Sequence, residues 1–312
     1  MDNLLFGDNQ FFGVNHMSEE KAREQAIRFR DLQSVMDVLD TAYHEGIRTF
    51  MCTTHDRVAD ICDRVRNDSA RYREFQFYPC LPYAHKYANA ATEDGVLGAL
   101  KRFAPQGGLL KTIVRGGKSL ATKDIDGLTK LLIDAELKMF HHLRIPVVFL
   151  QNVVTDLLLG LGMQDAFRIF AEHVRSQYGA EPGFITMNLP MLLDTLAEVG
   201  IENPIVCSSI NKLGFRMCGG IEAYERVLRE RKFRAIAMSI FASGAIPAEQ
   251  AIEWVCSLPN IESIVFGASN SSHIRSTSQL VSRLKRPANS ELARSGSTMY
   301  RAAPAPNFPL PS

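Results

Sequence analysis

The feature that most constrains this chain is an alternation: short, nearly continuous apolar runs are separated by stretches of helical periodicity from one end to the other. The runs are LLFG (4–7), RTFMCT (48–53), FQFYPCL (75–81), LLKTIVRG (109–116), VVFLQNV (147–153), GFITMN (183–188), PIVCSSI (204–210), FRAIAMSIF (233–241) and IESIVFGA (261–268). Between them, DLQSVMDVLDTAYHEG (31–46) puts Leu32, Val35, Met36, Leu39 and Tyr43 on one face and stops at Gly46, a natural helix C-cap. MQDAFRIFAEHVRSQYG, MLLDTLAEVG, IEAYERVLRERK and PAEQAIEWVCSL keep the same period. Strands alternating with helices of this length form βαβ units and pair in parallel. Runs that are apolar throughout suit parallel strands covered on both faces.

An eight-stranded (β/α)8 barrel uses all of these runs but one, and LLKTIVRG is the segment left over. The rival, a doubly wound open sheet, normally carries a GxGxxG turn after its first strand, and here DNQFFGVNH stands in that place. The reading is therefore α/β, a single (β/α)8 TIM barrel over 1–290, with its first strand near 4–7 and its last near 261–267. The Pro-rich tail over 291–312 is read as an extension. Phe50, Phe77, Val148, Phe149, Ile185, Val206, Ile236 and Val265 are the expected core.

Composition narrows the partners. Lys+Arg 35 against Asp+Glu 34 leaves a formal charge of +1, so neither nucleic acid nor an anionic membrane is expected. The longest apolar runs fall short of the roughly 20 residues of a membrane span. MDNLLFGDNQ has no basic n-region, and six Cys without a CxxC pair are no disulfide framework. The expected setting is cytoplasmic, and the expected partner is a small-molecule substrate, an anionic one if the glycine turns below hold phosphate.

In a barrel the chemistry sits where strand C-terminal ends meet their loops. The polar residues there are Asp8, Asn9, Gln10, Asn15 and His16, then Cys52, Thr53, Thr54, His55 and Asp56, then Cys80, Tyr83, His85 and Lys86. Arg115, Lys118, Gln151, Asn152, Asn188, Ser208, Ser209, Asn211, Ser239, Ser243, Ser269 and Asn270 follow. Loops are polar in any protein, which accounts for part of this set. His55–Asp56 and His85–Lys86 are the acid/base candidates, because imidazole titrates near neutral pH and a neighbouring charge tunes it. His16 and Asn152 are expected to join them in one pocket. His16, Cys52, His55, Cys80 and His85 could also gather around a metal, but no HxH, HExxH or CxxC spacing supports one. IVFGASNSSHI leads a strand through Gly267 into a helix start, suited to phosphate, and VRGGKS (114–119) repeats the idea beside Arg115 and Lys118. A plain turn and cap would look the same.

The order of pieces resembles the aldo/keto reductases. AYHEGIRTF (42–50) is similar to that family's entry into its second strand, and GFITMNLPMLLDTLAEVGIENPIV (183–206) to its strand ending in asparagine. FRAIAMSIFASGAI (233–246) and IESIVFGASNSSHI (261–274) are similar to its last two strands and their turns. The resemblance implies that Asn188 meets the nicotinamide amide of an NADP-type cofactor, and that Ser239 and Gly267–Ala268–Ser269 contact its phosphates. The family's hydride chemistry uses a Tyr, an Asp, a Lys and a His. Met51 stands at the place of the Asp, Asp56 at that of the Tyr, Lys86 lies beyond the register of the Lys, and Asn152 stands near the place of the His. The tetrad is thus expected to be missing. Without it, the expected function is non-hydride acid/base chemistry, that of a lyase, isomerase or hydrolase, rather than standard NADPH-dependent carbonyl reduction. The alternatives are an NAD(P)H-dependent oxidoreductase with a rewired proton donor, His55 being the substitute, and an inactive ligand-binding barrel.

Overall fold

A computed structural model describes residues 1–13, 19–82 and 122–284 of the 312-residue chain. Eight parallel strands close on themselves in chain order: β1 (Leu4–Gly7), β2 (Thr49–Thr53), β3 (Gln76–Leu81), β4 (Val147–Leu150), β5 (Glu181–Thr186), β6 (Ile205–Ser209), β7 (Arg234–Met238) and β8 (Ile261–Phe266). β8 pairs back onto β1 through Leu5↔Val265, which closes the (β/α)8 barrel. LLKTIVRG and the Pro-rich tail lie outside the described residues.

Side chains alternate across each strand, so the barrel has an inner and an outer set. Leu5, Met51, Tyr78, Cys80, Val147, Phe149, Ile185, Ile205, Cys207 and Ile236 form the inner cluster. Phe149 fills the lumen opposite Gly183, where a Cβ would come within 2.4 Å of its ring. The outer set, including Phe50, Phe77, Val148, Phe184 and Val206, packs beneath the helices. Of the expected core residues all are buried except Val265, which is half-buried. At the N-terminal end of the lumen, Thr49 and Gln76 donate to Asp2, and Arg234 bridges Glu181 and Glu262 at 2.9 Å each, a polar floor.

The helix Leu32–His44 starts at Asp31, whose side chain accepts from Ser34 N at 2.8 Å. Before it comes an excursion that periodicity does not announce: a 3₁₀ turn, Asn9–Phe12, and a helix, Glu19–Arg28. The helices Asp56–Asn67 and Asn152–Gly160 also exceed the helical patterns read from the sequence; the second begins inside the apolar run VVFLQNV. No helix among the described residues is long and apolar enough to cross a membrane.

Candidate active site

At the C-terminal mouth the first two strands are tied by one carboxylate. Asp8 follows β1, and its Oδ2 accepts hydrogen bonds from Thr53 N and Thr53 Oγ1, both at 2.7 Å. Asp8 is buried, and burial pushes its carboxyl above the ordinary carboxylate range against the opposing effect of the Thr53 bonds. Its charge lies near enough to Cys52 and Cys80 to add to the burial that holds both thiols well above their ordinary range. Thr53 has the parity of Met51, which faces the lumen, and pairs with the lumen residue Cys80. It is half-buried and therefore stands on the inner wall, one layer above Met51.

Of the expected acid/base residues, His55, Asp56 and Asn152 lie among the described residues. His55 is the N-cap of Asp56–Asn67: its Nδ1 accepts from Arg57 N at 3.0 Å and its ring stacks on Phe12 at 4.4 Å. That tautomer places the ring proton on Nε2. Asp56 sits in the first helical turn and is exposed, so its carboxylate serves the helix N-terminus rather than an enclosed site. Asn152 opens the helix after β4 and is half-buried. The mouth thus brings Asp8, Thr53, His55 and Asn152 to one end of the barrel. His16, His85 and Lys86, with Arg115 and Lys118 of VRGGKS, lie outside the described residues. No set of three His, Cys, Asp or Glu among the described residues is placed to hold a metal.

Two turns bear on a cofactor. After β7, Ser239 (φ 55°), Ala242 (φ 45°), Ser243 (φ 58°) and Gly244 (φ 93°) are left-handed, and the N–H groups of Ala242 and Gly244 close the turn onto Ser239 O and Phe241 O, which leaves the Ser239 and Ser243 hydroxyls as its side-chain donors. After β8, Gly267 is exposed, and Asn270 caps the helix Ser271–Leu284 by accepting from Ser272 N at 2.8 Å. The excursion packs on this second turn. Gln10 donates to Gly7 O at 2.8 Å, which fixes its amide, and its Oε1 lies 2.1 Å from where a Gly267 Cβ would be. Gln25 Nε2 reaches Ser269 Oγ at 3.4 Å. The donors at these turns suit the phosphates of a dinucleotide. An orphaned acceptor suits its carboxamide: Gln151, at the next inward position beyond Phe149, buries an Oε1 with no partner among the described residues.

The β5–β6 side is self-satisfied. Asp156 accepts from Thr186 Oγ1 at 2.5 Å and from Met187 N at 3.1 Å, using both oxygens. Tyr224 donates to Met187 O at 2.7 Å, and Ser208 to Thr186 O at 2.8 Å. Asn188 caps the next helix, its Oδ1 accepting from Met191 N at 3.4 Å. It also lines an outer groove of about 560 Å³ with Met191, Asp194 and Cys218. Asn188 is therefore engaged as a cap, whereas Gln151, like Gln10 and Gln25, keeps a buried amide oxygen without a partner among the described residues.

Comparison with known proteins gives the fold its relatives. No protein-family model matches the chain, and no curated protein sequence does. Solved structures do match. A protein of Pseudomonas aeruginosa assigned to the aldo-keto reductases superposes with a TM-score of 0.58 at 15% identity, over 91% of each chain. The holo form of an aldo-keto reductase from Bacillus halodurans gives 0.53 at 12%, over 94% of this chain and 90% of that one. An aldo-keto reductase of Klebsiella pneumoniae in complex with NADPH gives 0.53 at 10%, over 94% and 89%. The chain has an aldo-keto reductase-like barrel. At these identities the likeness shows the fold. It lends no support to the expected lyase, isomerase or hydrolase chemistry.

Asp8 and Thr53 are the residues that sequence reasoning placed among the strand ends without singling out. The signal was present, since β1 ends at Gly7 and a carboxylate follows it, but only the pairing Gly7↔Met51 brings Asp8 to Thr53.

Proposed function

We propose that this protein is an NAD(P)H-dependent oxidoreductase acting on a small carbonyl or alcohol, with a proton donor other than the tyrosine of the aldo/keto reductases. The observation that carries the reading is the pair of adjacent turns after β7 and β8, one left-handed and serine-bearing, the other opening a capped helix, at the C-terminal mouth of an aldo-keto reductase-like barrel. The neighbouring structure that holds NADPH supports it.

In this reading the Ser239 and Ser243 hydroxyls and the start of the helix Ser271–Leu284 hold the phosphates, with Ser269 and Gln25 at the far edge. Gln151 offers its unmet oxygen to the nicotinamide carboxamide. A bound reduced nicotinamide supplies hydride to a carbonyl carbon. The chain must then keep water out and meet the charge developing on oxygen. Met51, Phe149, Ile185 and Cys207 give the lumen an apolar filling above its polar floor. Met51 and the exposed Asp56 stand where the resemblance puts the family's Asp and Tyr, so the proton has to come from another group at the mouth. His55, the substitute expected from the sequence, is engaged as the cap of Asp56–Asn67.

Titration with NADPH and NADH, followed by the fluorescence of Trp254 on the helix after β7, tests the cofactor. Saturable quenching is expected, together with oxidation of the nucleotide by at least one aldehyde of a simple panel. Absence of both returns the barrel to the non-redox or ligand-binding readings.

A further inference from the structure

Thr53 has only its hydroxyl to offer the lumen, and what stands behind that hydroxyl is a carboxyl. Among the described residues the inner wall around Thr53 is lined by Met51, Cys80, Phe149, Ile185 and Met238, and Ser209 is fully buried with its hydroxyl against Met187 Sδ at 3.4 Å. Asp8 lies one step back, 6% exposed, with a single oxygen receiving both Thr53 donors. We propose that Thr53 and Asp8 form a proton relay: with Asp8 in its acid form the 2.7 Å contact runs in reverse, from the Asp8 O–H to Thr53 Oγ1, so that the Thr53 hydroxyl gives its proton to a substrate carbonyl oxygen as Asp8 replaces it. The relay rests on the redox reading above and names its proton source.

A strut would not need a carboxyl. Both Thr53 donors point at Oδ2, so an asparagine offering Oδ1 in the same place would tie β1 to β2 equally well, without a buried titratable group. No Lys, Arg or His among the described residues forms an ion pair with Asp8; Cys52 and Cys80 are the titratable groups whose ionisation it influences. Burial raises the Asp8 carboxyl, as a group that must hold a proton for delivery requires.

The step balances. A C–H bond forms at the carbonyl carbon with hydride from a reduced nicotinamide dinucleotide, which is oxidised. An O–H bond forms at the carbonyl oxygen as the Thr53 O–H bond breaks, and Thr53 Oγ1 takes the proton of Asp8. An alcohol and ionised Asp8 remain, and Asp8 regains its proton from water. Thr53 is the catalytic residue and Asp8 the positioning and recharging one.

The test uses the full chain and four variants: Asp8→Asn, Thr53→Val, Thr53→Ser and His55→Gln. The relay predicts unchanged NADPH quenching of Trp254 in all four. It also predicts a turnover loss on the order of 100-fold in Asp8→Asn and Thr53→Val, with near wild-type turnover in Thr53→Ser and only a small change in His55→Gln. An independent readout is carboxyl-carbon NMR of Asp8, expected to titrate above the ordinary carboxylate range in wild type and to change its midpoint in Thr53→Val. Full turnover in Asp8→Asn, loss in His55→Gln alone, or an Asp8 titration in the ordinary range overturns the relay. So does NADPH binding without turnover of any aldehyde. Failure of wild type to bind NADPH or NADH is recognisable as failure of the redox reading itself, and takes the relay with it.

Discussion

The same small motif occurs twice in this barrel, on opposite sides of its wall. Asp8 accepts from the hydroxyl and backbone N–H of Thr53, and Asp156 from the hydroxyl of Thr186 and the N–H of Met187. Burial raises the carboxyl in both cases. The difference is where the threonine faces. Ile185 is a lumen residue, so Thr186, its neighbour along β5, faces outward against the helix Asn152–Gly160. Thr53 shares the inward parity of Met51. The two also differ in how many oxygens they use. Asp156 engages both and is only half-buried, so a carboxylate is what its geometry demands; Asp8, among the described residues, receives both Thr53 donors on one oxygen and is buried. Identical chemistry braces the wall at β5 and stocks the mouth at β2.

Substitution at the two carboxyls separates these roles most sharply. Asp8→Asn is expected to remove turnover and leave unfolding nearly unchanged, whereas Asp156→Asn is expected to spare turnover. Steady-state rates and thermal melts of the same two preparations check the contrast, and matched losses of activity in both would erase it. In stability the order reverses. Asp156→Asn turns an NH₂ group toward Met187 N–H, leaving donors opposed, and a loss of about 1–3 kcal/mol in denaturant unfolding is expected. Tyr224→Phe, which removes the donor to Met187 O, extends the β5 side of the comparison with about 1 kcal/mol and no effect on nucleotide binding.

The smallest effect is in the pH dependence of stability. A carboxyl raised in the folded state binds its proton more tightly there than in the unfolded chain. Its contribution is therefore largest at low pH and is lost as pH rises from the ordinary carboxyl value through the raised one. Asp8→Asn removes that loss, so its melting temperature should fall less than that of wild type across this window. A wild-type-like decline in the variant would mean that Asp8 is not the raised group.

The barrel was legible in the sequence because parallel strands buried on both faces advertise themselves as apolar runs, and FQFYPCL and PIVCSSI sit within a residue of β3 and β6. The helix Asp56–Asn67 was less so. It follows β2 after only Thr54 and His55, and the charged residues along it dilute the apolar stripe of Val58, Ile61, Cys62 and Val65. The turn Asn9–Phe12 and the helix Glu19–Arg28 were invisible to periodicity, since the helix is polar almost throughout, packs closely on Gly13, and is placed by the approach of Gln10 to Gly267 and of Gln25 to Ser269 across the fold. The candidate site was legible as a place and not as a set of roles. Histidines attract attention by their chemistry, yet His55 turned out to cap a helix, while an aspartate after a strand looks like any loop residue until pairing buries it. Asn188 likewise carries a family likeness in sequence and a local capping duty in the structure.

The most direct test of a proton delivered from the ends of β1 and β2 is the pH profile of single-turnover NADPH oxidation by an aldehyde, in wild type and in Asp8→Asn. The account predicts that the wild-type rate falls as pH rises through a single ionisation above the ordinary carboxylate range, and that this limb vanishes in the variant, leaving a slow and level profile. The same limb in both proteins would contradict it.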